Sequence, residues 1–555
     1  MMNIRNFKYI ILLLFGSVFF QACLYEDLGS YNYREINNVD VDSVLTTSYY
    51  TMVADVDTLK ITPKVEFLLD GKVADPNRYA YEWSLLASRA SVNDKIIKIG
   101  DQKDLKWPVQ LAAGTYFGYF KVIDKQAELT WTTNFFVKCA SSTNSGWMVL
   151  CDVAGKTRVD VISPVSETRT VVVRNILKGS EYVGKPVGMN SVYVQDFMGT
   201  PETIIYGSNG TFSINLEDFT IYESSDYKYM FATGKSRIDI RSMAKTWNRS
   251  EAAKQATFVV DDLGDLYIKY HWEVGAMYGA RRNVDPDDPT KFIRFAPFIG
   301  SRWGKSGDSG NGGTNTSVLL YDQDKCRFME LRDDDLPRTL KIKGNNLPWY
   351  DAETGGMEMI GMTNTYNSNS LTYCISFLKD PKDGKIYLYG ANLKPNFKVT
   401  PVARDWFRFR NGTPATDKNT KCYTHHLLYN MAICASDNKV YRSEAWDNYD
   451  WKLYLDEDKG IEIPADEEIV DLKFHTLIGW IAYEKWETAD QYNLVVATNK
   501  KLGTLDENGN MVTEENCGRV RIYNVPKSTE ENSTKIAEYD NLGHIISLTY
   551  KERAK

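Results

Sequence analysis

From Trp147 to the end of the chain one pattern recurs: an apolar strand-like run, a polar bend carrying Asp, Asn or Gly, and a second apolar run. It reads WMVLCDVAGKTRVDVIS from 147, TIIYGSNGTFSIN from 203, TFVVDDLGDLYIK from 257, VLLYDQDKCRFMEL from 318, CISFLKDPKDGKIYLYG from 374 and MAICASDNKVYRSE from 431. The last unit, LVVATNKK from 494, continues through a long polar loop to GRVRIYNV from 518. The bends at Gly155, Gly210, Gly264, Asp324, Gly384 and Asn438 stand 54 to 60 residues apart. A period of that length, with two strands meeting at a tight turn and others between, is what a β-propeller blade requires, because a four-stranded blade buries its faces only against its neighbours. Seven units predict seven blades over residues 145–552; six or eight stay open because the loop Asp506 to Asn516 stretches the last unit. His544 to Tyr550 (HIISLTY) is the expected closing strand, paired with the blade that begins at Trp147. A series of stacked sandwiches is the competing architecture.

Composition agrees with an all-β chain. Aromatic residues make up 13% of the 555, led by 35 Tyr and 13 Trp, and these types favour strands. Hydrophobic residues at 43% and charged residues at 25% exclude disordered, collagenous and multi-spanning membrane proteins.

The amino terminus carries a compartment signal. Arg5 and Lys8 precede an apolar stretch of about 12 residues, Tyr9 to Phe20, which suits the h-region of a signal peptide and is short of the ~20 residues that span a bilayer. It ends at Gln21-Ala22-Cys23, which resembles the lipobox of bacterial lipoproteins. That resemblance makes residues 1–22 a signal peptide, Cys23 the acylated first residue of the mature chain, and residues 23–38 a lipidated tether; three acyl chains exceed the two signals needed for stable anchoring. The alternative is a plain secretory leader with a chance cysteine. Glu26 and Asp27 follow closely and resemble the surface-export signal of Bacteroidetes lipoproteins, which implies an outer-membrane, cell-surface location. Removing residues 1–22 moves the net charge from −7 to −9. An acidic chain with no basic stripe argues against nucleic acid as a partner. Of the seven remaining cysteines none form a CxxC and several sit in apolar runs, so buried thiols are expected; Cys422 with Cys434 is the pair to test for a bridge.

Residues 39–140 carry short alternating runs separated by turns, the pattern of an immunoglobulin-like sandwich. YAYEWSL places Tyr79, Tyr81, Trp83 and Leu85 on one face, and GTYFGYFKVID turns inward at Tyr116, Phe120 and Val122. The two segments resemble the PKD family of sandwich domains, in which the tryptophan packs the core and the tyrosine forms a corner. A spacer role follows, with no catalytic constellation in it. With the lipobox, the acids after it and the GWMVLCD opening of the second part, the whole chain resembles the PKD-like family lipoproteins of Bacteroidetes, which are found beside SusC/SusD-type outer-membrane uptake systems. The resemblance implies a non-catalytic accessory subunit that binds or scaffolds a glycan or oligopeptide for a TonB-dependent transporter, and supplies no catalytic residues.

Candidate chemistry is sparse. HExxH, G-x-S-x-G and P-loop motifs are absent from the sequence. The glycine-rich run Gly304 to Gly313 leads into a strand where a phosphate loop would lead into a helix. His425 and His426 would point to opposite faces of a strand, which defeats joint metal binding. Asp285, Asp287 and Asp288, and Asp333, Asp334 and Asp335, could present clustered oxygens to Ca²⁺; a solvated turn is the preferred reading, and no cofactor is expected. A propeller glycoside hydrolase or lyase acting on polysaccharide is the alternative function. Its carboxylates would come from Asp261, Asp262, Asp265, Asp322 and Asp324, all at blade bends where Asp suits the turn itself. Binding has better support in rings that lie in polar, turn-rich segments: Trp272, Tyr278, Trp349, Tyr350, Tyr366, Trp446, Tyr449 and Trp451. Such rings could stack on sugar faces or hold peptide side chains, although blade packing also consumes aromatics.

Overall fold

The computed structural model describes residues 36–42, 45, 49–69, 77–87, 96–192, 202–246, 256–270, 275–301, 317–332, 336–340, 354–364, 372–393, 399–426, 429, 431–444, 453–475, 492–528 and 530–552. Two compact units divide at Ala140 and Ser141. Among the described residues the named elements are strands and three short 3-10 turns.

In the first unit, five strands form one sheet in the order Tyr49–Val53, Leu129–Ala140, Gly114–Asp124, Tyr79–Ala87, Ile97–Gly100. Two short pairs, Val39–Val41 with Val65–Phe67 and Thr58–Ile61 with Leu105–Pro108, supply further strands. The inward residues expected from the alternation meet in one core: Trp83 is fully buried, its ring 4.2 Å from Phe120 and edge-on to Phe135. Gly118 is required beneath them, because a Cβ there would lie 2.3 Å from the Phe135 ring. The Tyr116 hydroxyl donates to the Ala112 carbonyl at 2.9 Å, the corner bond that the G-x-Y strand implied.

Among the described residues the second unit is a β-propeller of seven antiparallel sheets, with one further parallel pair, Arg408–Phe409 with Tyr454–Leu455. Each repeat read from the sequence is the second and third strand of one blade: Gly146–Val153 with Lys156–Ser166, Glu202–Gly207 with Gly210–Ser213, Ala256–Asp261 with Leu266–Tyr270, and so on to Leu494–Lys500 with Gly518–Asn524. The bend between the first pair is tight, with Ala154 and Gly155 both left-handed and Asp152 accepting the Gly155 amide. The innermost strands touch in series: Pro186–Val192, Ile240–Thr246, Gly300–Ser301, Glu358–Asn364, Lys421–His425, Glu467–Lys473 and His544–Lys551, the last of which touches the first. The ring therefore closes at seven, which removes the stacked sandwiches and the six- and eight-bladed counts.

Closure uses both ends of the unit. His544–Lys551 pairs antiparallel with Gly146–Val153, so blade 1 takes its inner strand from the carboxyl end and its other three from the start. Lys551 Nζ donates to the carbonyls of Thr143 and Asn144, and burial pushes its amine down to about 8.

Seven apolar clusters fill the seven interfaces between blades. Successive residues of a second strand serve opposite neighbours: Met148 and Leu150 pack toward blade 2, while Trp147, Val149 and Cys151 pack toward blade 7. Burial on both faces is why these strands read as continuous apolar runs. The seven described cysteines are free thiols; Cys422 and Cys434 are not bridged, and the Cys422 thiol donates to the Val470 carbonyl.

Candidate functional site

Of the residues singled out from the sequence, Cys23, Trp272, Trp349, Tyr350, Tyr366, Trp446, Tyr449 and Trp451 lie outside the described residues, as do Gly304 to Gly313 and Asp333 to Asp335. Tyr278 is a correction. Its turn-rich context predicted an exposed ring, yet the side chain is fully buried between blades 2 and 3, stacked 4.8 Å from Phe231, with its hydroxyl 3.0 Å from that of Tyr227. Tyr227 donates in turn to Glu202, which pairs with Lys245 at 2.9 Å. Burial raises both phenols, so this chain of groups holds the interface and is closed to a ligand.

Four of the bend carboxylates are engaged in local structure. Asp261 accepts the amides of Leu263 and Asp265 and pairs with Lys235; Asp322 accepts the amides of Asp324 and Lys325 and pairs with Arg327. Asp265 accepts from Asn283, and Asp324 from Arg294. Asp262 is in the same bend as Asp261, its amide bonded to the Asp239 carbonyl. The acidic run at 285 departs from a solvated turn: Asp285 is buried against Lys325 and Arg327, and Asp287 reaches the same two cations. It is an ion-pair node that joins blades 3 and 4. Among the described residues no group of three His, Cys, Asp or Glu side chains is placed to hold a metal ion.

His425 and His426 are both buried, the second stacked 4.4 Å from Tyr429 and accepting that residue's amide at Nδ1. Burial, with the neighbouring His426 charge, pushes His425 down to about 3; burial pushes His426 down to about 4. An unfolded chain returns both to about 6.5. Between pH 6.5 and 4 the unfolded state therefore binds protons that the folded state does not, and stability falls as pH falls, by about 1.4 kcal/mol per unit for each imidazole. Melting temperature measured across this range should drop steeply, and His426→Asn should remove about half of that slope; an equal slope in the variant would refute the assignment.

The described surface offers a cavity of about 610 Å³ between the outer parts of blades 6 and 7. Its back wall is the strand Gly518–Asn524, on which Val520 and Ile522 face blade 1 while Arg519, Arg521 and Tyr523 line the cavity. Alternation in a strand sends the two arginines to one face. Behind them stands Glu467, fully buried: Arg521 donates to both its oxygens at 2.6 and 2.8 Å, Arg519 to one at 3.2 Å, and Thr498 Oγ1 at 2.6 Å. Burial alone would raise the Glu467 carboxyl, but hydrogen bonds from Arg521 and Thr498 and the two guanidinium charges bring it below the ordinary range. Glu538, opposite Arg521 in the next strand, is opposed by burial in the same way and lowered by Lys535, Arg521 and Arg519.

Blade 6 supplies the other wall through Asp458, Lys459, Gly460, Ile461 and Glu462. The rim residues 525–528 and 530–533 are tied to blade 6: Arg442 donates to the carbonyls of Pro526, Ser528 and Glu531, and Lys459 to that of Glu530. The site thus presents fixed donors and acceptors in quantity. Sequence reasoning passed over it because each residue alone looks like a solvated charge. The available signal was RVRIY, two arginines on one face of an otherwise apolar strand, which demands a buried counter-ion. Two exposed rings were also missed on the first unit, Tyr49 and Phe117, which flank the half-buried Phe136 on three adjacent strands.

Residues 23–187 match the PKD-like family. The match begins at Cys23, takes in the PKD-like sandwich and runs on through the strands of blade 1 that open with GWMVLCD. No curated protein matches the chain. Among solved structures, a chain of BBS1N in complex with ARL6DN, soaked with lead, is 11% identical over 65% of this chain and 89% of its own, with a TM-score of 0.31. The WD40 domain of SCAP from fission yeast is 8% identical over 74% of this chain and 76% of its own, with a TM-score of 0.22. The propeller itself rests on the closed ring of sheets described above.

Proposed function

We propose that the chain is a surface-exposed outer-membrane lipoprotein, anchored through Cys23, whose propeller is a non-catalytic binding or scaffold body of a SusC/SusD-type nutrient uptake system. The PKD-like match that starts at the lipobox cysteine supports the anchored, spacer-plus-propeller arrangement. Two observations support the non-catalytic part: Asp261, the candidate bend carboxyl that burial raises, is occupied by the amides of Leu263 and Asp265 and by Lys235, and the carboxylates at the cavity are held as anions. Glycoside cleavage by the usual route needs one carboxyl raised so that it can donate a proton to the leaving oxygen. Glu467 and Glu538 are shifted the other way, held as anions by Arg519, Arg521 and Lys535.

Two measurements test this. Membrane fractionation should find the native chain in the detergent phase and Cys23→Ala in the aqueous phase; equal partition would remove the anchor from the account. Purified protein incubated with polysaccharides and oligopeptides should release no products, and turnover abolished by replacing a single acid would establish the hydrolase or lyase reading instead.

A further inference from the structure

We propose that the cavity between blades 6 and 7 is a subsite for an uncharged, polyhydroxylated ligand, a unit of a neutral saccharide; this rests on reading the propeller as a binding body and names the ligand class for it. At about 610 Å³ the cavity is within the ordinary size of small-ligand pockets, about 300–1,000 Å³. Its lining mixes both signs of charge, and the charges are internally compensated. Arg521 and Arg519 share Glu467 and Glu538, Lys535 pairs with Glu538, and Glu462 pairs with Lys439. An anionic ligand would compete with Glu467 and Glu538 for the same guanidinium groups while facing their repulsion. A cationic ligand would meet the mirror problem at Arg519, Arg521 and Lys535.

A hydroxyl group escapes both, since it donates to a carboxylate and accepts from a guanidinium. A vicinal diol across one Arg–Glu pair therefore makes charge-assisted hydrogen bonds without breaking the pair. Arg519, Arg521, Lys535 and Glu538 all line the cavity, so the donors and the acceptor that such a diol needs stand together on one wall. Preorganisation supports the same conclusion, because the ties from Arg442 and Lys459 hold the rim loop to blade 6 without any ligand.

The test uses the full-length chain in detergent, with isothermal titration of neutral gluco- and manno-oligosaccharide mixtures, oligogalacturonate and an acidic oligopeptide. Ser533→Trp blocks the cavity from its rim without removing a buried charge, and Arg519→Lys keeps the charge but removes the guanidinium fork. The expected result is binding of a neutral oligosaccharide that changes less than twofold between 0.05 and 0.5 M NaCl and weakens at least tenfold in both variants, with the Ser533→Trp melting profile unchanged. Absence of neutral-saccharide binding, binding confined to oligogalacturonate or the peptide, or full binding by Ser533→Trp would each overturn the proposal. Full binding by Ser533→Trp leaves the binding function standing and moves the site. Turnover of the bound saccharide would instead remove the non-catalytic reading and leave the subsite.

Discussion

Removing residues 544–555 should abolish the cooperative unfolding transition of the propeller while the transition of the sandwich remains. The deleted strand is the inner edge of blade 1 and pairs with Gly146–Val153 along its length. Without it the ring is cut at one interface: Ile545 and Leu548 leave the cluster shared by blades 7 and 1, and Val149, Cys151 and Val520 lose cover. Burying a side chain of this size is worth about 1.5–3 kcal/mol, so losing two such side chains, their backbone pairing and the cover of their neighbours approaches the entire stability of a typical domain, about 5–15 kcal/mol. Loss of Lys551 also frees the segment at Thr143 and Asn144 that enters the first blade. The two compact units have separate cores, so two calorimetric transitions are expected in the native chain and one in the truncated chain. A truncated protein with both transitions intact would show that the ring does not depend on its closing strand.

Glu467→Ala should destabilise the propeller by about 3–5 kcal/mol, the usual consequence of leaving a buried charge without its partner. Arg519 and Arg521 have side chains only 7% and 4% exposed, and Glu467 supplies the bidentate contact to Arg521. Glu538 remains near both guanidinium groups and sets the loss toward the lower figure. Glu467→Gln keeps the shape and two lone pairs but not the charge, and should fall between wild type and alanine. Denaturant midpoints at pH 7 give the comparison. A change below about 0.5 kcal/mol in the alanine variant would mean that the two arginines reach solvent and that the cavity wall is not rigid.

The parts of this fold that could be read in advance are those with a simple physical cause. Second strands such as Trp147 to Val153 and Leu494 to Lys500 are buried on both sides by neighbouring blades, so they stand out as unbroken apolar runs. First and fourth strands do not. Gly300–Ser301 and Ile461–Glu462 are two residues each, at the hub or the rim, and carry no periodicity to detect. Trp83 and Tyr116 were legible because alternation and a local corner bond decide them within one strand. Tyr278 was misjudged for the opposite reason: its neighbours in sequence are polar turns, and its burial depends on Phe231 and Tyr227 some 50 residues away. The cavity was hidden in the same manner. Glu467 meets Arg519 and Arg521 across 52 and 54 residues, and nothing local in the sequence announces that the three share one site.

Co-purification from outer membranes with the intact, full-length chain tests the central claim most directly. The account predicts that a SusC/SusD-type transporter is captured with the native protein, at a stoichiometry that survives washing, and that Cys23→Ala captures none. Recovery of the native protein alone, from membranes in which such a transporter is present, would contradict it.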